Sequence, residues 1–219
     1  NPKSDILEGE EFYHCVKSLR KKVGDTIYTT DGKGNLFKTK IEKIEKSFCN
    51  LEEKEKVKSL SQKKINNVSI CLIKSQSRID WMVEKLTEIG VNEITFILSQ
   101  NCERKKLNYD RLNKKIISAA KQCNSLFLPK INEIRSLDKF LDDTKNIDNK
   151  YFADLESKNN LKTYGDNLNS IMLIGPEGDF TREEKEKIKK YGFKSTTLGN
   201  QILRSETAAV IGAYLLKDF

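Results

Sequence analysis

The chain has 219 residues, of which 33% are charged and 37% hydrophobic, and it carries a formal net charge of +8. This length accommodates one core domain with a small companion, and no apolar run reaches the length of a membrane span. Five scattered cysteines without a CxxC pair, together with a single histidine, predict free thiols in a reducing cytoplasm and no metal site. No signal peptide is apparent, and the first residue, Asn1, leaves open whether residues precede it.

The positive charge has two explanations. A basic surface favours nucleic acids, because lysine and arginine contact phosphates and release counterions. The chain is also rich in lysine and asparagine, a bias that produces a positive charge without any polyanionic partner. Charge alone therefore leaves nucleic-acid binding and compositional bias equally open.

Residues 1–66 are predicted to form a β-rich domain. Its strands are expected in EFYHCV (residues 11–16), DTIYTTDGKGNLFKTKIEKI (residues 25–44) and FCNLEEKEKV (residues 48–57). The DGKG turn, Asp31–Gly34, has the residues that a hairpin needs for positive φ angles. The pattern predicts a small barrel or sandwich, and the polar stretch at residues 54–67 is expected to be a linker.

Residues 67–219 alternate between apolar strands and amphipathic helices. Strands are expected at Asn67–Ile73, residues 92–98, Lys150–Asp154, Ile171–Gly175 and residues 195–199. Helices are expected at residues 78–90, 109–123, 181–192 and 205–219. The first should end at Gly90, and the third should begin with a capping box of Thr181 and Glu184. Such alternation predicts an α/β domain with a mostly parallel sheet.

Two loops that contain glycine follow strands of this predicted sheet. GPEG follows one strand directly, and LGNQILR follows the next. Ligands of open α/β sheets bind at the carboxyl ends of strands, and Gly175, Gly178 and Gly199 would let the backbone approach a ligand without a Cβ atom. Neither loop is a P-loop or a Rossmann fingerprint. An ordinary strand-to-helix turn explains either loop taken alone.

Arg204 and Glu206 lie at the start of a helix that is otherwise small or apolar. Charged side chains at such a position must form an ion pair or serve a function, because burying an unpaired charge is costly. The alternatives are catalysis and a structural ion pair, either Arg204–Glu206 or Arg204–Glu177. Ser205 has no base nearby in sequence, so the segment does not indicate a serine hydrolase.

Together the two C-terminal motifs resemble those of a known family. LIGPEGDFTREE followed by LGNQILRSETAA is similar to the signature of the RsmE-type methyltransferases of the SPOUT superfamily, which methylate uracil N3 in 16S ribosomal RNA. The resemblance covers nearly the whole chain, since GEEFYHCVKSLRKKVGDTIYTTDGKG, DWMVEKLTEIGVNEITFILSQNCE and AAKQCNSLFLP match earlier blocks of the family. The paired motifs in this order and spacing are specific, whereas either alone is weak.

The resemblance implies a fold, a cofactor and partners. Residues 1–66 would form a PUA-like β-barrel that binds RNA, and residues 67–219 would form an α/β SPOUT methyltransferase domain with a trefoil knot. The cofactor would be S-adenosyl-L-methionine, the enzyme a cytoplasmic homodimer, and the substrate 16S ribosomal RNA or the assembled small ribosomal subunit. The family's cofactor loops match Leu173, Ile174, Gly175, Pro176, Glu177, Gly178, Leu198, Gly199, Ile202, Leu203, Arg204 and Thr207.

Roles in RNA binding and catalysis follow from the same resemblance. RNA contacts are expected from one basic segment of the N-terminal domain: His14, Lys17, Arg20, Lys21 and Lys22. Methylation of uracil N3 requires loss of its proton, and a guanidinium can stabilise the negative charge that spreads to the flanking carbonyl oxygens. We expect Arg204 to serve in this way, and Glu206, Glu177 or solvent to take the proton.

The chain departs from the family pattern at three places. Asp179 stands where the family usually has glycine, Gln201 where it has arginine, and Asn124–Ser125 where it has a Gly-Arg pair. Because Gln201 and Ser125 remove possible phosphate contacts, they bear on RNA affinity and target more than on cofactor binding. Two alternative functions remain: methylation of another RNA position, such as a ribose 2′-hydroxyl, and a non-catalytic role as an RNA-binding assembly factor.

Overall fold

The computed structural model describes residues 6–62, 64–102, 105–161 and 169–217, without the side chain of Glu53. The chain divides into two compact units, Asn1–Gln62 and Lys63–Phe219. Each unit has a hydrophobic core of its own. Within the described ranges, no helix is both long enough and apolar enough to cross a bilayer.

The N-terminal unit contains a four-stranded antiparallel sheet in the order β1-β4-β3-β2. Its strands are β1 (Ile6–Glu8), β2 (Thr26–Thr30), β3 (Asn35–Ile44) and β4 (Phe48–Ser59). The predicted hairpin is confirmed, because β2 pairs with β3 across a turn in which Gly32 and Gly34 have φ angles of 70° and 99°. A β-rich domain is thus confirmed, while β1 and β2 remain the edges of the described sheet and do not close it into a barrel.

Two predictions for this unit are wrong. EFYHCV is helical: α1 (Gly9–Tyr13) continues into a π-helical turn at His14–Ser18. Phe12 and Cys15, three residues apart, are both buried in the small core, and this is the spacing of one helical face. The predicted linker also starts too early, because β4 extends to Ser59. Residue 63 of that linker lies outside the described residues.

The C-terminal unit contains a seven-stranded sheet whose described pairings are all parallel. Its strands are β5 (Asn66–Cys71), β6 (Glu93–Leu98), β7 (Lys130–Ile131), β8 (Arg135–Ser136), β9 (Asn149–Ala153), β10 (Ser170–Ile174) and β11 (Lys194–Thr196). The order is β11-β9-β10-β5-β6-β7, and β8 also pairs with β6. The predicted parallel α/β sheet is confirmed. Two-residue strands such as β7 and β8 have no periodicity from which to predict them.

Five helices accompany this sheet in the described part of the unit: α2 (Gln76–Ile89), α3 (Tyr109–Gln122), α4 (Leu137–Asp143), α5 (Arg182–Lys190) and α6 (Ser205–Lys217). The Gly90 C-cap is confirmed, with a φ angle of 85°, and so is the capping box at the start of α5. The last two residues of the predicted closing helix lie outside the described residues. Helix α6 packs against β5, β10 and α2. Gly212 permits this approach, because a Cβ atom there would lie 2.8 Å from Met172 Cγ in β10.

Strands β5 and β10 are neighbours at the centre of the sheet although they are distant in sequence. From β5 the chain proceeds to β6 on one side, and it later returns to β9 and β10 on the other. Such a reversal of direction opens a crevice at the carboxyl ends of the two strands, where ligands bind in open α/β sheets. The connections that begin at this edge include residues 72–75 after β5, residues 175–181 after β10 and residues 197–204 after β11.

Candidate active site

The GPEG loop leaves β10 with two glycines in different environments. A Cβ atom at Gly175 would lie 3.2 Å from the ring of Phe180, a close contact that a side chain there could relieve only by shifting the ring. A Cβ atom at Gly178 would have no neighbour closer than 3.8 Å, and Glu177 beside it is exposed. The outer part of the loop, Glu177 and Gly178, is therefore the part with room for a ligand.

Asp179 closes the GPEG loop in a left-handed conformation, with a φ angle of 60°. Glycine adopts this angle more easily than other residues. Here the strain of placing an aspartate at the position is offset by the contacts that Asp179 makes. Lys185 Nζ lies 2.8 Å from Asp179 Oδ2 and 2.9 Å from Asp154 Oδ1 at the end of β9. Burial by itself lowers the pKa of Lys185, but its hydrogen bonds to Asp179 and Asp154 outweigh burial and raise the pKa above its ordinary value.

The connection after β6 supports the same loop. Asn101 Nδ2 donates a 3.1 Å hydrogen bond to the carbonyl oxygen of Asp179, and the Gln100 N–H donates a 2.9 Å bond to Glu184 Oε1. Glu184 Oε2 accepts from the N–H of Thr181 as part of the capping box. One side chain, Glu184, thus caps α5 and holds the neighbouring connection.

A thiol pair lies in this region. Cys102 Sγ accepts a 3.4 Å hydrogen bond from the N–H of Ser99. A hydrogen bond with the Cys71 thiol, reinforced by Ser99, lowers the pKa of Cys102 to about 6. Burial raises the pKa of Cys71 well above its ordinary value. Of the two thiols, Cys102 is therefore the one whose ionised form the surroundings favour.

The second loop combines buried apolar anchors with an open glycine. Leu198 and Leu203 pack against the main core, whereas Ile202 between them is 83% exposed. Gly199 has a φ angle of 125°, and no atom lies within 4 Å of the position that its Cβ would take. Thr197 Oγ1 bonds both the N–H and the carbonyl oxygen of Gly199, which shapes this turn. The loop therefore presents backbone and one apolar side chain to an open space.

The structural ion pairs considered from the sequence do not form among the described residues. Arg204 is exposed, and its side chain pairs with neither Glu206 nor Glu177; its carbonyl oxygen accepts the Ala208 N–H of α6. Glu206 is 5% exposed, and its partner is Arg78 from α2, whose Nε lies 3.5 Å from Glu206 Oε1. The other oxygen, Glu206 Oε2, is buried without a hydrogen-bond partner in the described part of the chain.

Sequence reasoning missed three residues of this site: Arg78, Asn101 and Lys185. For Arg78 one signal was present, because a cation in the first turn of a helix is disfavoured by the helix dipole and indicates a specific anionic partner. The remaining predicted residues divide by burial. Leu173 and Ile174 are buried inside β10, Pro176 is buried in the loop, and Thr207 is half-buried in α6.

The five residues predicted to bind RNA lie on one segment of the N-terminal unit. His14 and Lys17 are exposed on the π-helical turn, and Arg20 follows in a left-handed conformation, with a φ angle of 53°. Lys22 is exposed, while Lys21 is half-buried and its Nζ donates to the carbonyl oxygen of Thr26 at 3.5 Å. Four of the five side chains are therefore available to solvent.

Comparisons with known proteins agree with this architecture. The RNA methyltransferase domain family matches residues 41–217, and the RNA methyltransferase PUA domain family matches residues 7–54. A protein of Mesomycoplasma hyopneumoniae named ribosomal RNA small subunit methyltransferase E is 36% identical over 178 residues, which cover 78% of this chain and 73% of the relative.

Solved structures are similar over almost the whole chain. The crystal structure of a "probable rRNA-methyltransferase" from Porphyromonas gingivalis has a TM-score of 0.87 and 31% identity, covering 98% of this chain and 93% of that one. A ribosomal RNA small subunit methyltransferase E from Neisseria gonorrhoeae, solved bound to S-adenosyl methionine, has a TM-score of 0.80 and 24% identity, covering 96% and 90%. At that identity the second likeness shows the fold alone.

Proposed function

The chain belongs to the RNA methyltransferase family that includes ribosomal RNA small subunit methyltransferase E, and on this premise we propose that it methylates 16S ribosomal RNA with S-adenosyl-L-methionine. One structural observation carries the proposal. Two glycine loops with open space and one buried carboxylate with a free oxygen follow strands at the same edge of the parallel sheet. The choice of cofactor rests on the match of these loops to the cofactor loops of the family.

The residues present fit this cofactor. Gly178 and Gly199 leave space at the positions where side chains would otherwise stand, and Ile202 offers an apolar contact. Leu173 and Ile174 are buried in β10, so they would contribute backbone groups and not side chains. When bound, S-adenosyl-L-methionine supplies an electrophilic methyl group on a sulfonium.

The atom that we propose as the methyl acceptor is N3 of a uracil. This choice rests on the paired motifs GPEG and LGNQILR, and on the chemistry of the side chains beside them. Arg204 has no ion-pair partner among the described residues, so its guanidinium is available to the negative charge that spreads over the uracil carbonyl oxygens. Glu206 suits the role of base better than the exposed Glu177, because its free oxygen is already desolvated. Because N3 is paired in a duplex, the target base must be unpaired or flipped.

A homodimer, a trefoil knot in the C-terminal unit and a cytoplasmic location complete the proposal. Support for the dimer comes from α6, whose Ala209, Ala213 and Leu216 are buried in its own core while Tyr214 is exposed and Val210 half-buried. Helix α6 thus packs into the core of its own unit and still has an apolar edge at the surface. Light scattering at micromolar concentration tests the dimer, and a monomer would contradict it.

The function is tested by mapping methylated nucleotides in ribosomal RNA from cells with and without the protein. A uracil that carries N3-methyl only when the protein is present supports the proposal. A methylated ribose 2′-hydroxyl in its place would identify a related enzyme with another target. If cells without the protein keep every methyl group, and calorimetry shows no binding of S-adenosyl-L-methionine, the protein is a non-catalytic RNA-binding factor.

Single-turnover methylation of small ribosomal subunits should distinguish the roles of the two units, because variants in one should change the chemical rate and variants in the other should change RNA binding. Arg204→Ala should lower the rate at saturating cofactor by about 10²–10³, the usual effect of removing one group that stabilises a developing oxyanion. Neutralising Arg20 and Lys22 should weaken RNA binding and reduce its salt dependence by roughly one unit of slope per lost phosphate contact, with the saturated rate intact. If Arg204→Ala methylates normally at saturating cofactor, Arg204 has no chemical role.

A further inference from the structure

Two buried carboxylates form ion pairs with arginines at helix α2, and they differ in how completely they are satisfied. Asp80, on α2 itself, is 6% exposed. Its Oδ1 accepts from Gln76 Nε2 at 2.7 Å, and its Oδ2 accepts from Arg111 Nε at 2.8 Å and from Arg111 Nη2 at 2.5 Å. Both oxygens of Asp80 are therefore used inside the protein, as expected of a pair that ties α2 to α3.

Glu206 is equally buried but only half satisfied. Its Oε1 lies 3.5 Å from Arg78 Nε, and its Oε2 has no hydrogen-bond partner among the described residues. Burying an acceptor without a donor is costly, and such groups are uncommon in folded proteins unless they serve a function. Five buried side-chain atoms lack a hydrogen-bond partner among the described residues, and Glu206 Oε2 is the one that belongs to a carboxylate. Since Asp80 shows that α2 can satisfy a buried carboxylate fully, this oxygen points to an external donor.

The position of the pair connects it to the proposed chemistry. Arg78 lies in the first turn of α2, after β5, and Glu206 lies in the first turn of α6, two residues after Arg204. Helix α6 packs on both β5 and β10, the two strands at which the chain reverses direction in the sheet. The helix dipole disfavours a cation at the position of Arg78. Helix stability therefore does not explain Arg78, whereas its contact with Glu206 does.

We propose that Arg78 is a positioning residue: it holds Glu206 through Oε1 and keeps Oε2 without an internal donor. Binding of the substrate uncovers this buried oxygen for the N3–H group of the target uracil. This inference rests on the proposed function. Only the carboxylate form of Glu206 can accept a proton, so the step begins from that form. In the step, the N3–H bond breaks, an O–H bond forms at Oε2, and the electron pair remains on N3, ready to form the bond to the methyl group. Glu206 afterwards returns the proton to water.

Five variants test the proposal in the full-length protein: Arg78→Met, Arg78→Lys, Glu206→Gln, the double variant Arg78→Met/Glu206→Gln, and Arg111→Met as the matched control. Arg111→Met removes the other arginine that pairs with a buried carboxylate at α2. Three quantities are measured for each: the single-turnover rate on small ribosomal subunits, the calorimetric affinity for S-adenosyl-L-methionine, and the melting temperature. Affinity and melting temperature do not depend on catalysis.

Arg78→Met and Glu206→Gln should each lower the rate by about 10²–10⁴, the range for loss of a general base, and leave cofactor affinity unchanged. The double variant should be no slower than Glu206→Gln, because residues that act as one unit are not additive. Arg78→Lys should retain most of the rate, since a single contact at 3.5 Å depends on charge more than on the planar fork. Arg111→Met should melt earlier and keep the full rate.

Three results would overturn the proposal. A parallel loss of cofactor affinity would mean that the pair holds the cofactor, and additive rate losses would mean that Arg78 does not act through Glu206. An equal rate loss in Arg111→Met would reveal general damage to α2. Arg78→Met leaves Glu206 buried without its partner and so could fail to fold. In that case the double variant, which leaves no unpaired buried charge, is compared with Glu206→Gln. A slower rate in the double variant than in Glu206→Gln then counts against the proposal. Failure of the proposed function is separate, because the wild-type protein would then produce no N3-methyluracil.

Discussion

Replacement of Lys185 by methionine is expected to destabilise the C-terminal unit by about 3–5 kcal/mol, the cost of leaving a buried charge without its partner. The side chains of Lys185 and Asp154 are 13% and 5% exposed, and their charged atoms lie 2.9 Å apart. Methionine keeps the bulk of the lysine stem but leaves Asp154 charged where water has little access. Asp179 is 38% exposed, so water solvates it and its pair adds about 1 kcal/mol or less. At roughly 2–4 °C per kcal/mol for a domain of this size, the melting temperature should fall by about 6–20 °C.

Thermal unfolding followed by circular dichroism measures this loss, with Lys187→Met as the matched control. Lys187 is on the same helix and pairs with the exposed Asp138, so water screens the pair and its replacement should cost little stability. The double variant Lys185→Met/Asp154→Asn removes the stranded charge and should recover much of the stability. Equal losses in Lys185→Met and Lys187→Met would refute the reasoning, because burial would then not decide the cost.

The pKa of Lys185 also predicts a pH dependence. Because the folded protein holds this pKa above its ordinary value, the ion pairs contribute fully below the ordinary lysine pKa and are lost as the pH rises through the raised value. Wild-type protein should therefore lose stability in the alkaline range more steeply than Lys185→Met. Equal slopes would contradict the assignment.

Three further predictions concern packing, thiol chemistry and the cofactor site. Gly212→Ala gains about 1 kcal/mol of helix propensity but places a Cβ atom 2.8 Å from Met172 Cγ, a clash of about 1–3 kcal/mol, so urea unfolding should show no stabilisation and a loss of up to about 2 kcal/mol. Cys102, with a pKa of about 6, should react with iodoacetamide near neutral pH faster than the exposed Cys123, and equal rates would contradict its ionisation. Gly199→Val should abolish calorimetric binding of S-adenosyl-L-methionine by filling the open space in a loop whose φ angle is 125°; unchanged affinity in a folded variant would refute the placement.

Local features of this protein could be predicted because neighbours in sequence decide them. The DGKG hairpin, the Gly90 C-cap and the capping box of Thr181 and Glu184 each depend on residues within four positions of one another. The alternation of apolar strands and helices predicted the parallel sheet, and the strand ends located both glycine loops. The failure at EFYHCV is also local, because a short segment with apolar residues at positions 12, 15 and 16 suits a helix as well as a strand.

Only the tertiary structure decided which charges meet. Arg78 and Glu206 lie near opposite ends of the C-terminal unit's sequence and come together because α2 and α6 both pack at the central strands. Lys185 likewise joins Asp179 to Asp154, so that an aspartate occupies a left-handed position that favours glycine. Burial and the partners of a charge depend on contacts between residues distant in sequence, and no local pattern contains that information. The sequence by itself therefore identified the loops of the candidate site, and the fold determined which carboxylate is buried there with a free oxygen.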